Sequence, residues 1–227
     1  MASLELRKAY FFDVDGTLID SNSPQTLSWQ RAFETVLGRH FPYARIRRLI
    51  GMPGNALIPM LSGIQENSPE GQKISRTHSE VFLKRYLSKL ETLPQARDLI
   101  HALQSAGAKT AVVTSLRRGE MEKLLHQVGL LGSFDLAVPI DDVEEAGPKR
   151  SPIGCALDKL QLSPKDVYYV ADTPYDIEAA TALGVDTLAL RCGGWDDDGL
   201  ARAFRIFDDP SDLFRELQAV IPAKTAA

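Results

Sequence analysis

The sequence predicts an α/β fold: an open, parallel, Rossmann-like sheet with α-helices on both faces and an α-helical segment inserted after its first strand. Three observations predict it. Short apolar runs recur at 9–13, 109–114, 136–138, 167–171 and 187–190, as expected of strands buried on both faces. Amphipathic helical patterns separate most of these runs, and strands alternating with helices build such sheets. One stretch, from about Ile19 to about Leu90, breaks the alternation with helical patterns and no strand.

Ala9-Tyr10-Phe11-Phe12-Asp13 is aromatic-rich and runs into a turn at Gly16, so it reads as the first strand. In the insertion, Ser23-Pro24 reads as an N-cap followed by proline at the first helical position. Leu27, Phe33 and Leu37, or Trp29, Phe33 and Val36, then supply an apolar stripe that Gly38 stops. A second long helix is expected from about Glu70 to about Leu90, with Val81, Phe82, Tyr86 and Leu90 on one side. Between the two, Ile50-Gly51-Met52-Pro53-Gly54-Asn55 reads as a turn-rich hinge or loop. The insertion, 19–90, is large enough to form a small second domain, leaving 1–18 and 91–227 as the core. In the core, Leu99, Leu103 and Ala106 recur at helical spacing, as do Leu124, Leu125 and Val128 before Gly129.

Composition narrows the function. Of 227 residues, 44% are hydrophobic and 25% charged, which excludes a largely disordered chain. The net charge of −4 argues against nucleic acid as a partner. The apolar runs fall far short of the ~18 residues a spanning helix needs, and Met1 to Lys8 mixes charges with apolar residues, so neither membrane nor signal peptide is expected. Cys155 and Cys192 cannot build a disulfide framework, which fits a reducing cytoplasm. Both a monomer and a homodimer are compatible with this composition.

The chemistry sits at acidic strand ends. In Asp13-Val14-Asp15-Gly16-Thr17-Leu18, alternation along an extended backbone puts Asp13 and Asp15 on one side. Carboxylates so close repel unless a cation or shared proton intervenes, although Asp-Gly is also a common turn pair. A second acidic cluster, Asp172-Thr173-Pro174-Tyr175-Asp176, follows the strand ending at Ala171. Asp172 falls at the same sheet edge as Asp13 and Asp15. Asp176 reads either as a helix N-terminal acid favoured by the dipole or as a further ligand. Oxygen donors with no His or Cys beside them suit a hard cation such as Mg²⁺. Thr114-Ser115 ends another strand with hydroxyls that could cradle phosphate, though Ser115 alone also reads as a helix cap. Lys149 precedes a helix expected to start near Pro152.

Together these segments resemble the haloacid dehalogenase-like superfamily, in its aspartyl-phosphate phosphatase branch. The order is Asp-x-Asp-Gly-Thr, apolar strand-Thr, Lys-x-x-Pro and Asp-x-x-x-Asp, and it spans nearly the whole chain. The helical insertion resembles the family's cap domain, placed as in the phosphoglycolate phosphatase and β-phosphoglucomutase group. The resemblance implies Asp13 as nucleophile and Asp15 as general acid/base. Thr114, with the backbone amide of Ser115, would bind the phosphoryl oxygens, and Lys149 would neutralise phosphate and nucleophile. Mg²⁺ would be held by Asp13, Asp15 through its backbone carbonyl, and Asp172, with Asp176 holding the metal's waters or Lys149. The implied substrate is a small phosphomonoester.

Three departures from the family pattern stand out. Ala171 replaces the usual glycine before Asp172, and Arg150 follows Lys149 where proline is common. No arginine follows Gly51, where a sugar phosphomutase would be expected to carry one. A 2-haloacid dehalogenase would usually lack Asp15, and a non-catalytic binding module would not need the full set of motifs. Arg45, Arg47, Arg48 and Asn55 are candidates for contacting the substrate from the cap. His40, His78, His101 and His126 are expected as surface or helix residues, and Cys155 and Trp29 as core.

Overall fold

The computed structural model describes residues 4–146 and 151–221. Six strands, β1 (Ala9–Phe12), β2 (Lys109–Val113), β3 (Leu136–Val138), β4 (Val167–Ala171), β5 (Asp186–Leu190) and β6 (Arg205–Phe207), form one sheet in the order β3-β2-β1-β4-β5-β6. Every neighbouring pair is parallel. The first five strands lie where the apolar runs place them. β6 was not foreseen, because Arg205-Ile206-Phe207 is too short and too mixed to show a period.

Alternation along each strand sorts its residues onto two cores. Tyr10, Phe12, Val112 and Val170 pack on one face with Leu99, Leu103, Leu124 and Leu213, which come from α5 (Ala96–Ser105), α6 (Arg118–Gln127) and α11 (Pro210–Gln218). Ala9, Phe11, Ala111 and Tyr169 pack on the other with Ile153, Cys155 and Ala180, from α8 (Pro152–Leu160) and α9 (Pro174–Ala182). Two short helices, α7 (Ile140–Ala146) and α10 (Asp197–Leu200), complete this part.

Between β1 and α5 lie α1 (Asn22–Leu37), α2 (Tyr43–Arg47), α3 (Gly54–Ser62) and α4 (Pro69–Arg85). They share a core of their own around Trp29, Phe33, Phe41, Ile46, Leu57 and Ile74. The chain enters and leaves this region side by side: Asp20 N–H donates to Glu91 O at 3.2 Å and Leu93 N–H to Leu18 O at 2.9 Å.

Local expectations for this region need four corrections. α1 begins at Asn22 after Ser21, so Ser23 is not its cap and Pro24 is its third residue; proline there costs no intrahelical bond, because the first four N–H groups have no partner. Leu27 is 38% exposed and does not belong to the stripe. The second long helix stops at Arg85, five residues early, and a 3₁₀ turn at Leu87–Lys89 follows. The last two residues of the expected loop at 50–55 are helical, because α3 starts at Gly54.

Parallel pairing fixes the levels of the strand ends. Phe12 stands opposite Val112 in β2 and Val170 in β4. Asp13, Thr114 and Asp172 therefore leave three adjacent strands within one residue of the same level. The chain moves to one side of β1 for β2 and to the other for β4, and such a reversal opens a crevice at the carboxyl ends.

Candidate active site

Asp13 and Asp172 are buried, and with Asp176 they offer three carboxylate oxygens within 4.8 Å of one another. Burial pushes the Asp13 carboxyl well above its usual range, with Asp176 and Asp172 adding repulsion. Burial likewise pushes Asp172 up to about 8, Asp176 adding to the rise while Asn22, Arg47 and Thr17 oppose it. Asp176 is also raised by burial. Two buried carboxylates and a half-buried third are costly together unless a positive charge joins them. Their oxygen-only donor set fits a hard divalent cation.

Fixed hydrogen bonds aim these groups. Asn22 Nδ2 donates to Asp172 Oδ2 at 2.9 Å and to Gly193 O at 3.2 Å, and Thr17 Oγ1 donates to Asp172 Oδ1 at 3.2 Å. Asp176 accepts at Oδ2 from the backbone and side chain of Thr173, and at Oδ1 from Tyr169 OH at 3.1 Å. Its capping role and its place in the carboxylate cluster thus coexist. Two glycines make the crowding possible. Gly16 has φ +76, and a Cβ there would collide with Asn22 and Asp172; a Cβ at Gly193 would also strike Asp172.

Asp15 lies outside this carboxylate cluster. Its Oδ1 accepts from Ser21 Oγ, and Gln25 Nε2 donates to Oδ1 and Oδ2 at 3.2 Å each. The same hydroxyl lies 3.3 Å from Ile19 O, and Ser21 makes no side-chain cap bond to α1. Burial raises the Asp15 carboxyl, opposed by the Ser21 and Gln25 bonds. Gln25 Oε1 in turn meets His78 Nε2 at 2.8 Å. His78 is 6% exposed and stacks on Trp29 at 3.9 Å. Burial pushes its imidazole down to about 3, so it is neutral near pH 7 and Nε2 donates to the amide oxygen. His78 is therefore a helix residue, as expected, but a buried one that reaches Asp15 through Gln25.

Asp13 and Asp15 line one cavity of about 140 Å³, together with Trp29, Asn55 and His78 from the inserted helices and Ser115 and Glu120 from the sheet side. Thr114 is buried beside it, its Oγ1 accepting from Leu116 N–H at 3.2 Å. Ser115 does not cap α6, whose preceding residue is Arg117; it faces the cavity instead. Lys149 lies outside the described residues. Among the insertion's arginines, Arg47 brings its guanidinium against Gly194, close enough to Asp172 to lower its carboxyl. Arg45 and Arg48 line a separate surface depression. Cys192 comes near the carboxylates, its Sγ 3.5 Å from Gly16 O, and burial pushes the thiol up to about 12.

Thr17, Asn22, Gln25, His78 and Glu120 were not singled out from the sequence as site residues. Thr17 and Asn22 flank the acidic turn closely enough to have been suspected. Gln25, His78 and Glu120 carry no local mark, because they meet only when α1, α4 and α6 pack together.

Comparisons with known proteins bear on the family and the fold. The family described as haloacid dehalogenase-like hydrolase matches residues 10–190. A phosphoglycolate phosphatase of Aquifex aeolicus is 31% identical over 81% of this chain and 84% of its own length. The pyrophosphatase PpaX of Bacillus cereus is 29% identical over 79% of this chain and 81% of its own. The crystal structure of a hydrolase from Pseudomonas syringae superposes with a TM-score of 0.84 at 25% identity, covering 95% of this chain and all of that one. The family match runs from the first strand, through the inserted helices, to the fifth strand, and so takes in Asp13, Asp15 and Asp172 at the carboxyl ends of the sheet: this chain belongs to the haloacid dehalogenase-like hydrolases.

Proposed function

We propose that this hydrolase is a Mg²⁺-dependent phosphatase acting on a small phosphomonoester through a phosphoryl group carried transiently on Asp13. The observation that carries the reading is the shared cavity: Asp13 and Asp15 face it together, while Asp13 alone of the two also belongs to the buried carboxylate cluster. The activities of the two relatives, a phosphoglycolate phosphatase and a pyrophosphatase, support a phosphatase and differ in substrate.

A carboxylate oxygen of Asp13 attacks phosphorus, and a phosphorus–oxygen bond forms as the bond to the leaving alkoxide breaks. Asp15 gives its proton to that alkoxide, then removes a proton from the water that attacks the acyl phosphate. The second step releases inorganic phosphate and returns Asp13 as carboxylate. Ser21 and Gln25 hold Asp15 for both transfers. Thr114 and Ser115 would bind phosphoryl oxygens, and Lys149 would offset charge on phosphate and nucleophile. Mg²⁺, when held by Asp13, Asp172 and Asp176 with the Asp15 carbonyl, would neutralise part of the charge shared by carboxylates and phosphoryl group. The fit is supported by the oxygen-only donor set and by carboxyls raised through burial and mutual repulsion.

Residues 19–90 would act as a cap on a core of 1–18 and 91–227, a division supported by the separate apolar cluster of the inserted helices and their paired entry and exit. The reading includes a soluble small-molecule substrate, a cytoplasmic setting and a monomer or homodimer; nucleic acid and membrane have no part in it.

The test is phosphate release from an aryl phosphate. Excess chelator should abolish it and added Mg²⁺ restore it. Full turnover in excess chelator would overturn the mechanism.

A further inference from the structure

The wall of the cavity opposite the reacting carboxylates carries a signature of its own. Glu120, on α6, lines the cavity with its Oε1 buried and lacking a hydrogen-bond partner among the described residues. Burial raises the Glu120 carboxyl to about 7, and Ser79 of α4, which also lines the cavity, lies close enough to that carboxyl to oppose the rise. A buried acceptor left without a donor is costly, so a donor brought in by a ligand would recover that loss. If Asp15 protonates the leaving oxygen, the rest of the leaving group extends into this space and meets Glu120.

Resting on the phosphatase reading above, we propose that the preferred substrate has an uncharged, hydroxyl-bearing leaving group, a polyol or sugar monophosphate, one of whose hydroxyls donates to Glu120. A leaving group carrying a carboxylate or a second phosphate is disfavoured, because its anionic oxygens would meet Glu66 and the acceptor oxygen of Glu120, both of which line the cavity. Among the described residues of that lining, Arg117 carries the positive charge, and its guanidinium is engaged by Asp141 at 3.3 Å. His78 is neutral there. Arg47 is turned toward Gly194, and Arg45 and Arg48 line a different depression. The cavity, about 140 Å³, is smaller than the pockets that hold drug-sized ligands, which limits the leaving group to a few carbons and their hydroxyls.

The experiment compares kcat/KM of the full chain with Mg²⁺ on p-nitrophenyl phosphate, glycerol 3-phosphate, a pentose and a hexose monophosphate, phosphoglycolate and pyrophosphate. At least one polyol or sugar phosphate should exceed phosphoglycolate and pyrophosphate by about tenfold or more. Glu120→Ala should lower kcat/KM for that substrate about tenfold further than for the aryl phosphate, chiefly through KM. Glu120→Gln keeps shape and an acceptor oxygen, so it should retain most of the preference and separate lost recognition from misfolding. Phosphoglycolate or pyrophosphate at the head of the panel would overturn the inference and leave the phosphatase reading standing, as would Glu120→Ala slowing every substrate equally. Failure to hydrolyse any member of the panel, the aryl phosphate included, would overturn both.

Discussion

On the sheet floor of the site, Asp13, Thr114 and Asp172 leave neighbouring parallel strands, the ladder register sets their heights, and of the three Asp13 lines the cavity. On its wall, Trp29, Asn55 and His78 come from three different helices of the insertion, and Glu120 comes from a fourth helix beyond it. Backbone hydrogen bonds of a buried sheet fix the floor, whereas side-chain packing between helices fixes the wall. On the proposed mechanism the floor would serve any phosphoryl group, since its groups would face phosphorus and the bonds being made and broken. The wall would face only what is attached to the phosphate, so selectivity would reside there. Asp15 joins the two regions, for it follows β1 yet is held by Gln25 and, through it, by His78.

Substitutions can break or sharpen this contrast. The largest effect is expected on the floor. Asp13→Asn would remove the proposed nucleophile and should cost about 10⁴-fold or more in kcat on every substrate, with little loss of thermal stability because it also removes a buried like charge. Asp15→Asn should cost about 10²–10⁴-fold, and more for alkyl than for aryl phosphates, since poor leaving groups need the proton. Equal losses on both classes would remove Asp15 from the acid role.

The joint between floor and wall should give an intermediate effect. Gln25→Leu takes away the donor that bridges both Asp15 oxygens. A bond to a charged group is worth about 1.5–3 kcal/mol, so kcat should fall about 10- to 100-fold with KM nearly unchanged. A change confined to KM would mean that Gln25 serves the substrate and not Asp15.

His78 allows a test by pH. Its folded pKa of about 3 lies below the usual imidazole value of 6.5, so the unfolded chain binds more protons between those values. Its contribution to stability is complete above pH 6.5 and shrinks as pH falls toward 3. At pH 5 the loss is up to about 2 kcal/mol. Melting temperatures measured from pH 8 to 4 should therefore fall less steeply for His78→Gln than for the wild type. Parallel curves would mean that His78 does not carry this proton linkage.

The smallest effects are expected among the polar residues first considered as selectors. Asn55 lines the cavity, so Asn55→Ala should alter KM and substrate ranking by a few fold, about 1 kcal/mol. Arg45→Ala and Arg48→Ala should leave the ranking unchanged, since both residues line a separate depression. A ranking altered by Arg48→Ala, with Asn55→Ala silent, would relocate the selective wall.

Much of this molecule was readable in advance because its signals are local. A strand buried on both faces must be apolar throughout, so five of six strands stood out, while the three-residue β6 could not. Asp13, Asp15, Thr114 and Asp172 follow strand runs directly, and a carboxylate pair beside a glycine turn has few inexpensive explanations. Cys155 and Trp29 were placed in cores by helical spacing alone, and both are buried.

The sequence by itself determined the α/β class, the position of the helical insertion and the acidic strand ends, because period, turn residues and charge are properties of neighbours along the chain. Only the tertiary structure decided that Gln25 and His78 hold Asp15, that Arg47 turns toward Asp172 while Arg45 and Arg48 turn away, and that Glu120 faces the cavity with an unpartnered oxygen. Those relations join residues tens of positions apart, and they depend on the rotation and crossing of packed helices, which side-chain packing across the whole fold sets.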